Sequence, residues 1–205
     1  MLIERPPAIF RWLFPGVIFR MPRDNGNPPT VYLTFDDGPI PEATPWVLDV
    51  LDSFNVKATF FMVGGNIERN PGLLEEVLKR GHRVANHTLH HIRGWRVSPG
   101  EYLKDAQECE KFTRSGIFRP PHGWLTPGQL KVMTQRYKVV MFDLVTRDYS
   151  RKVNAARVVE NVKRFTRDGS VIVFHDSLRS IDKLKTALPE SLRWLRDQGY
   201  KFGLL

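Results

Sequence analysis

The chain has 205 residues, of which 41% are hydrophobic, 11% aromatic and 26% charged, a composition typical of a folded globular domain and not of a disordered or fibrous chain. Its single cysteine, Cys109, excludes a disulfide framework and zinc fingers built on paired thiols. The net charge of +9 predicts anionic partners. The basic residues are scattered and form no track with interleaved aromatic side chains, so nucleic acid is not an expected partner.

Residues 1–29 are predicted to form an N-terminal arm packed on the domain, and the stretch Pro22–Pro29 is the linker into the first strand. The apolar segment Ile9–Phe19 contains Arg11, Pro15 and Gly16 and falls short of the roughly 20 apolar residues that a spanning helix needs. No signal-peptide pattern precedes it, so a cytoplasmic location is expected. The alternative is peripheral contact of the arm with an anionic membrane surface, and an anionic envelope polymer fits the charge equally well. The oligomeric state is not indicated.

From residue 30 to residue 205, short β-branched or aromatic runs alternate with longer helical patterns, as in parallel βα units. The predicted strands are Val31–Phe35, Ala58–Val63, Arg83–Asn86, Gly116–Phe118, Lys138–Leu144, Val171–Phe174 and Lys201–Leu205. The predicted helices are Glu42–Phe54, Pro71–Arg80, Pro99–Thr113, Pro127–Gln135, Asn154–Thr166 and Ile181–Asp197. Ser98 and Thr126 each precede a proline and are predicted N-caps. Seven strands separated mostly by helices favour a single-domain α/β fold of barrel type, although an open doubly wound sheet has the same local pattern.

Two adjacent carboxylates, Asp36 and Asp37, follow the first strand where the chain turns at Gly38-Pro39. The carboxyl ends of strands are where barrels and open α/β sheets build their sites. Neighbouring strand residues point to opposite sides, so the two aspartates need not share a role. An Asp-Gly turn with one carboxylate capping backbone amides is the alternative, and alone it would be at least as plausible.

The third strand continues into the sequence His-Thr-Leu-His-His, which begins at His87. His87 and His91 are four residues apart and would share one face of a helical turn, as two metal-binding imidazoles must. With one carboxylate from the first strand they form a two-nitrogen, one-oxygen set that leaves coordination positions open. His90 lies three residues from His87 and could replace His91 in this set. A histidine pair alone would more often be a surface or packing feature.

Three further strand ends carry polar groups. Arg119 follows the fourth strand and precedes Pro120-Pro121-His122, His175 ends an apolar run, and Asp148 and Tyr149 follow the fifth strand. Taken singly, Arg119 could be a surface ion pair, His175 a hydrogen-bonded residue at the edge of the core, and Asp148 a helix cap.

Together, the Thr-Phe-Asp-Asp-Gly-Pro and His-Thr-x-x-His motifs make the sequence resemble the polysaccharide deacetylase family, the carbohydrate esterases of family four with the chitooligosaccharide deacetylase homology domain. The resemblance covers roughly residues 30–205 and implies an irregular (β/α) barrel of about seven strands. It also implies one divalent metal, most often Zn²⁺, with Co²⁺, Ni²⁺ or Mn²⁺ as alternatives. Carried over by motif, Asp37, His87 and His91 would bind the metal, Asp36 would be the general base, Arg119 would hold Asp36, and His175 would be the general acid supported by Asp148. Tyr149 and Val173 would line the acyl pocket, with Pro121 and His122 at its edge.

The sequence departs from the family pattern at three positions. Tyr149 stands where a tryptophan is usual, Val145 where a further carboxylate is common, and His122 where a tyrosine usually follows the Arg-x-Pro. These departures bear on the shape of the acyl pocket and on the substrate, and leave the metal, base and acid positions intact.

Three functions are consistent with these residues. The first is a metal-dependent hydrolase that removes N-acetyl groups from amino sugars in a glycan or oligosaccharide. In that mechanism the backbone N–H of His122 would stabilise the oxyanion, Asp36 would take the proton of water, and His175 would protonate the amine. The second is a deformylase or O-acetyl esterase acting on a glycolipid or another acylated glycan. The third is a catalytically silent carbohydrate-binding relative, against which the retained acid, base and ligands count strongly.

Overall fold

The structure, a computed structural model, describes residues 4–23 and 28–205, apart from the side chain of Arg11. Residues 1–3 of the predicted arm and residues 24–27 of the predicted linker lie outside this part of the chain. Within it there are eight α-helices: α1 (Ile9–Leu13), α2 (Thr44–Ser53), α3 (Gly64–Arg69), α4 (Pro71–Lys79), α5 (Pro99–Thr113), α6 (Pro127–Arg136), α7 (Ala155–Phe165) and α8 (Ile181–Asp197). The strands of the same part are β1 (Thr30–Asp36), β2 (Thr59–Met62), β3 (Arg83–Asn86), β4 (Ile117–Phe118), β5 (Lys138–Val139), β6 (Leu144–Val145), β7 (Val171–His175) and β8 (Lys201–Gly203). Two single turns of 3₁₀-helix are Gly94–Arg96 and Pro121–Gly123.

All strand pairs in the sheet are parallel, and the order across it is β5-β4-β3-β2-β1-β7-β6, with β8 paired to β1. Seven of the strands form a curled half-barrel surrounded by helices in one domain, which confirms the predicted α/β fold of barrel type. β1 lies at the centre of the sheet, and its last residue, Asp36, is in register with His175 at the end of β7. The polar ends of β1 and β7 therefore lie side by side.

One predicted strand is wrong: the run Lys138–Leu144 forms two short strands that border opposite edges of the sheet. β5 pairs with β4, and β6 pairs with β7. Between β5 and β6, the carbonyls of Val140 and Met141 accept hydrogen bonds from Arg119. The carboxylate of Asp143 binds Arg167 and Ser170. These polar contacts replace strand pairing where the apolar run would otherwise continue.

The N-terminal arm joins the two sides of this half-barrel. The Ile18 N–H donates to the Val139 carbonyl at 2.9 Å, and the Met141 N–H donates to the Ile18 carbonyl at 2.7 Å. Met21 N–H donates to the Gly169 carbonyl at 2.9 Å, just before β7. The arm is thus hydrogen-bonded to the barrel through backbone groups that would otherwise lie unpaired at the sheet edge. No helix in the described part of the chain is long and apolar enough to cross a membrane.

Alternate residues of β1 serve different sides of the sheet. Leu33 and Phe35 are buried in the main core between the sheet and helices α2, α4, α7 and α8. Thr34 and Asp36 point the other way, into the half-barrel, where the Arg119 guanidinium donates to both side chains. The strand alternation therefore places Asp36 inside the barrel.

The two predicted N-caps, Ser98 and Thr126, are confirmed at the starts of α5 and α6. Ser98 and Thr126 each form a capping box with the residue three positions on, Glu101 and Gln129 respectively. Gln129 also donates to the Gly94 carbonyl at 2.6 Å. The loop before α5 and the loop before α6 are thereby fixed to each other.

Candidate metal centre and catalytic cleft

A cleft of about 260 Å³ opens at the carboxyl ends of the strands. Of the residues predicted to form the site, those that line it are Asp36, Asp37, His87, His91, Arg119, His122, Tyr149, Val173 and His175. Asp148 is fully buried and lies behind His175. Pro121 is buried within its 3₁₀ turn and does not line the cleft. The residues that sequence reasoning did not place here are Arg93, Gly123, Phe142 and Arg179, and Val145, named only as a departure from the family pattern, lines the cleft as well.

Three potential metal ligands converge at this end of the barrel. One ligand atom from each of Asp37, His87 and His91 lies within 4.8 Å of the others. Asp37 Oδ1 is 3.1 Å from Nε2 of His91 and 3.8 Å from Nε2 of His87. Asp37 itself has a φ of 81°, a left-handed conformation that non-glycine residues seldom adopt. This backbone turn directs Asp37 away from Asp36.

The histidine loop is not the helical turn that the four-residue spacing predicts. Residues 87–93 have no helical assignment, and Thr88 and His91 both have positive φ, at 65° and 52°. Side chains, not helical backbone bonds, shape the loop: Asn86 Oδ1 accepts from the Thr88 N–H, and Asp105 Oδ1 accepts from the Leu89 N–H. The rings at positions 87 and 91 still come within 5.2 Å of each other.

His90, the alternative ligand, lies outside the cluster. Its side chain is 67% exposed and its Nδ1 is 2.6 Å from Asp105 Oδ2. The group formed with Asp37 and His87 contains His91 instead.

The donor set fits a divalent metal. His87 Nδ1 lies 2.8 Å from the Arg119 carbonyl, so that nitrogen carries the hydrogen and Nε2 is left as the ligand atom. Burial lowers the pKa of His87 to about 4, which keeps the ring neutral near pH 7. Burial also tends to raise the pKa of Asp37, but its bond to His91 and the nearby His175 and His87 rings outweigh burial and hold that pKa below its usual value. Two imidazole nitrogens and one carboxylate suit Zn²⁺ and the neighbouring transition metals.

Asp36 is held by a buried arginine. Arg119 Nη1 lies 2.6 Å from Asp36 Oδ1 and 2.8 Å from Thr34 Oγ1. Its guanidinium also stacks 3.9 Å over the Phe61 ring and is almost fully enclosed. This hydrogen-bonded guanidinium limits the directions in which the Asp36 carboxylate can point.

His175 has its own carboxylate partner. Its Nδ1 lies 2.8 Å from Asp148 Oδ1, and its backbone N–H donates to Asp148 Oδ2 at 2.8 Å. Burial lowers the pKa of His175, but the charge and hydrogen bond of Asp148, with Asp37 and Asp36, outweigh burial and raise it to about 9. The ring is therefore cationic at neutral pH, with Nε2–H available as a donor in the cleft.

An apolar patch closes one side of the cleft. Phe142, Val145 and Val173 form a buried cluster with Tyr149 packed against it. The Tyr149 ring lies 4.7 Å from the ring of His175. Where the family pattern has a carboxylate, Val145 adds apolar surface, so this wall is suited to an acyl group.

His122 lies in the 3₁₀ turn Pro121–Gly123 and has a left-handed conformation, with φ of 61°. Its ring meets His91 edge-on at 4.7 Å and Trp95 at 5.9 Å. Burial, together with His91 and Arg93, lowers the pKa of His122 to about 4. A neutral His122 is a poor proton donor near pH 7, in contrast to His175.

One functional group was missed from the sequence. Asp176 is fully buried, and its carboxyl oxygens accept from the Thr44 hydroxyl at 2.6 Å and the Gly38 N–H at 3.1 Å. A Cβ at Gly38 would lie 2.0 Å from Asp176 Oδ2, so only glycine fits there. Burial, with Asp37 nearby, raises the pKa of Asp176 to about 8. The signal was its place beside His175 at a strand end, and its role is to hold the turn that follows Asp37.

A three-ligand metal group, a carboxylate fixed by arginine and a cationic histidine fixed by aspartate at the carboxyl edge of a parallel half-barrel define a metal-dependent hydrolase. The family model described as Polysaccharide deacetylase matches residues 23–140. The chain belongs to the polysaccharide deacetylase family, the carbohydrate esterases of family four, which hydrolyse the amide C–N bonds of acetylated sugars and use a divalent metal.

Named relatives align over most of the chain. A peptidoglycan-N-acetylglucosamine deacetylase of Bacillus cereus is 33% identical over 184 residues, covering 86% of each chain. A chitooligosaccharide deacetylase of Bradyrhizobium sp. is 35% identical over 155 residues, covering 72% of this chain and 70% of the relative. The crystal structure of a peptidoglycan N-acetylglucosamine deacetylase with 4-naphthalen-1-yl-N-oxidanyl-benzamide superposes with a TM-score of 0.85 at 32% identity, over 97% of this chain and 95% of that one.

Proposed function

We propose that this protein removes N-acetyl groups from N-acetylated amino sugars in a glycan or oligosaccharide, releasing acetate and a free amine. The observation that carries the proposal is the pairing of two different proton-transfer groups in one cleft beside three metal ligands. Asp36 is paired with a cation and His175 with an anion. The relatives named as deacetylases of N-acetylglucosamine and of chitooligosaccharides point to the same substrate class.

Asp37, His87 and His91 would hold one divalent ion, with Zn²⁺ as the first choice and Co²⁺, Ni²⁺ or Mn²⁺ as alternatives. When bound, such an ion polarises the amide carbonyl and lowers the pKa of a bound water from ~15.7 toward ~7. The neutral state of His87 and the ionised state of Asp37 prepare the ligand atoms for it.

Asp36 serves as the general base. Arg119 orients this carboxylate, so that it can take a proton as the water oxygen forms its bond to the amide carbon. The backbone N–H of His122 is the proposed donor to the oxyanion, an interaction worth roughly 3–4 kcal/mol when preorganised.

His175 serves as the general acid. The C–N bond of an amide breaks readily only when its nitrogen is protonated, and the cationic His175 supplies that proton. Asp148 holds the ring through Nδ1 and leaves the Nε2–H as the donor. The apolar wall of Val145, Val173 and Tyr149 accepts the acyl methyl.

The test measures acetate and amine release from a panel of chitooligosaccharides and peptidoglycan fragments, using metal-loaded protein, chelator-treated protein and protein reloaded with metal. Loss of release with chelator and recovery on reloading are expected. Asp36→Asn should lose turnover in the same assay, and His90→Ala, which alters a histidine outside the metal cluster, should keep it. If the metal-loaded protein releases acetate from no member of the panel, the proposal is wrong.

A further inference from the structure

A second cavity, of about 250 Å³, lies between the N-terminal arm and the barrel, next to the catalytic cleft. From the arm it is lined by Phe10, Phe14 and Val17, and from the barrel by Trp124, Leu125 and Met141, among others. Among all its described lining side chains, the indole of Trp124 is the only one with an N–H or O–H donor. We name this cavity the arm groove.

The arm groove adjoins the catalytic cleft, because Gly123 and Phe142 line both. Phe142 belongs to the same apolar cluster as Val145 and Val173, which form the proposed acyl wall. A substituent on a sugar bound in the cleft therefore needs to pass only Phe142 or Gly123 to enter the arm groove.

The chemistry of the arm groove selects its occupant. A glycan chain carries hydroxyl groups that need hydrogen-bond partners once they leave water, and burying them unpaired is costly. Side chains such as Phe14 and Leu125 offer no such partners. Hydrocarbon needs none, and gains free energy in proportion to the apolar area removed from water. The occupant that fits is a hydrocarbon chain.

The surface beside the arm groove is also apolar. Trp124, at its wall, is 54% exposed, and on α1 the exposed fractions of Ile9, Trp12 and Leu13 are 59%, 91% and 59%. The spacing of these three α1 residues places them on one helical face. Large exposed apolar side chains that cluster around a cavity mark a binding surface.

We propose that the arm groove holds the hydrocarbon chain of a glycolipid substrate whose acylated amino sugar occupies the catalytic cleft. This inference rests on the proposed function and narrows its substrate class to amino sugars that carry a hydrocarbon chain. The arm then forms part of the substrate site, since Phe10, Phe14 and Val17 supply one wall of the arm groove.

The experiment compares the methyl and octyl β-glycosides of N,N′-diacetylchitobiose, both below the critical micelle concentration. Binding is measured calorimetrically with chelator-treated protein, and kcat/KM with metal-loaded protein. Burial of one methylene group changes a binding constant about fourfold. If three of the additional methylenes enter the arm groove, the octyl glycoside binds about 60-fold more tightly than the methyl glycoside.

Two variants locate the effect. Val17→Trp fills the arm groove and Trp124→Ala removes an exposed part of its wall, so both should lower the octyl preference without lowering binding of the methyl glycoside. Leu78→Ala is the control, because Leu78 is an exposed apolar residue on α4 and does not line the arm groove. It should keep the full octyl preference.

The outcomes separate this inference from the proposed function. Equal binding of the two glycosides overturns the arm groove assignment, even if both are deacetylated and the proposed function stands. Octyl preference that disappears in Val17→Trp supports the arm groove, even if neither glycoside is deacetylated and the proposed function fails. A dimer in sedimentation that Val17→Trp dissociates, with no octyl preference, would assign the arm groove to a second copy of the chain and overturn the inference.

Discussion

Replacing Asp148 with asparagine should move the alkaline limit of activity to lower pH. In the folded protein, Asp148 is the main group that raises the pKa of His175, from an ordinary value of 6.5 to about 9. Asp148→Asn removes that charge, while burial continues to favour the neutral ring. The pKa of His175 then falls toward 6.5, and the protonated form needed for amine departure is lost at lower pH.

The size of the effect follows from the two pKa values. At pH 8 a histidine of pKa 9 is about 91% protonated, whereas one of pKa 6.5 is about 3% protonated. Turnover at pH 8 should therefore fall about 30-fold more than at pH 5.5, where both enzymes hold a protonated ring. Asparagine has one acceptor oxygen where Asp148 has two, so one of the two His175 donors, Nδ1–H or the backbone N–H, loses its hydrogen bond. That loss is structural and independent of pH over this range.

The assay is the pH dependence of kcat on one N-acetylated oligosaccharide, measured from pH 5 to pH 10 for both proteins. Asp182→Asn is the control, because it removes the same charge from a side chain that is 90% exposed. Its profile should superimpose on that of the parent. If the Asp148→Asn profile also superimposed, His175 would not be the acid.

Three other predictions concern the ligands, the base and the buried carboxyl group. Asp36→Asn should keep the metal and lose about 10²–10⁴ in turnover, whereas Asp37→Asn should lower metal affinity by more than about 100-fold; elemental analysis and kcat distinguish them, and equal metal loss would contradict the assigned roles. His91→Ala should abolish stoichiometric metal content and His90→Ala should not, since only His91 lies beside Asp37; retention of metal by His91→Ala would be incompatible with this ligand set. Asp176→Asn should stay within about fivefold of parental turnover, because an amide resembles the protonated carboxyl group. Asp176→Ala should lower the free energy of unfolding by about 1–3 kcal/mol for each donor left without a partner. Denaturant unfolding measures this, and an equal loss of unfolding free energy in both variants would show that Asp176 works as the anion.

Most of the fold was predictable because its signals are local. Alternating apolar runs and capped helices such as the one after Ser98 depend on residues close together in the chain. The division of Lys138–Leu144 into two strands was not predictable, because it depends on partners distant in the sequence. Arg119 donates to two carbonyls in that segment, and Arg167 donates to the Asp143 carboxylate. An apolar run by itself carries no information about which guanidinium will reach its backbone.

The candidate site was likewise predictable only where its signals are local. The motifs correctly predicted that Asp37, His87 and His91 come together, but the reason given for the histidines was wrong. Their loop owes its shape to Asp105, which is distant in sequence and accepts from the loop's backbone. Asp176 was missed because its partners, Gly38 and Thr44, become neighbours only when β1 and β7 pair.

The contacts of Arg119 link the Asp36 carboxylate to the closure of the barrel. One guanidinium binds Asp36 at the centre of the sheet and the carbonyls of Val140 and Met141 beside the N-terminal arm. Met141 in turn donates its N–H to Ile18. Local opening of the arm would remove a hydrogen bond that holds residues 140–141 in place, and these residues supply the two carbonyls that help to position the guanidinium beside Asp36. We therefore expect Asp36 to lose its fixed orientation, and the protein its activity, when the arm separates from the barrel and before the sheet unfolds. Hydrogen exchange of the Met141 amide measures the free energy of that local opening.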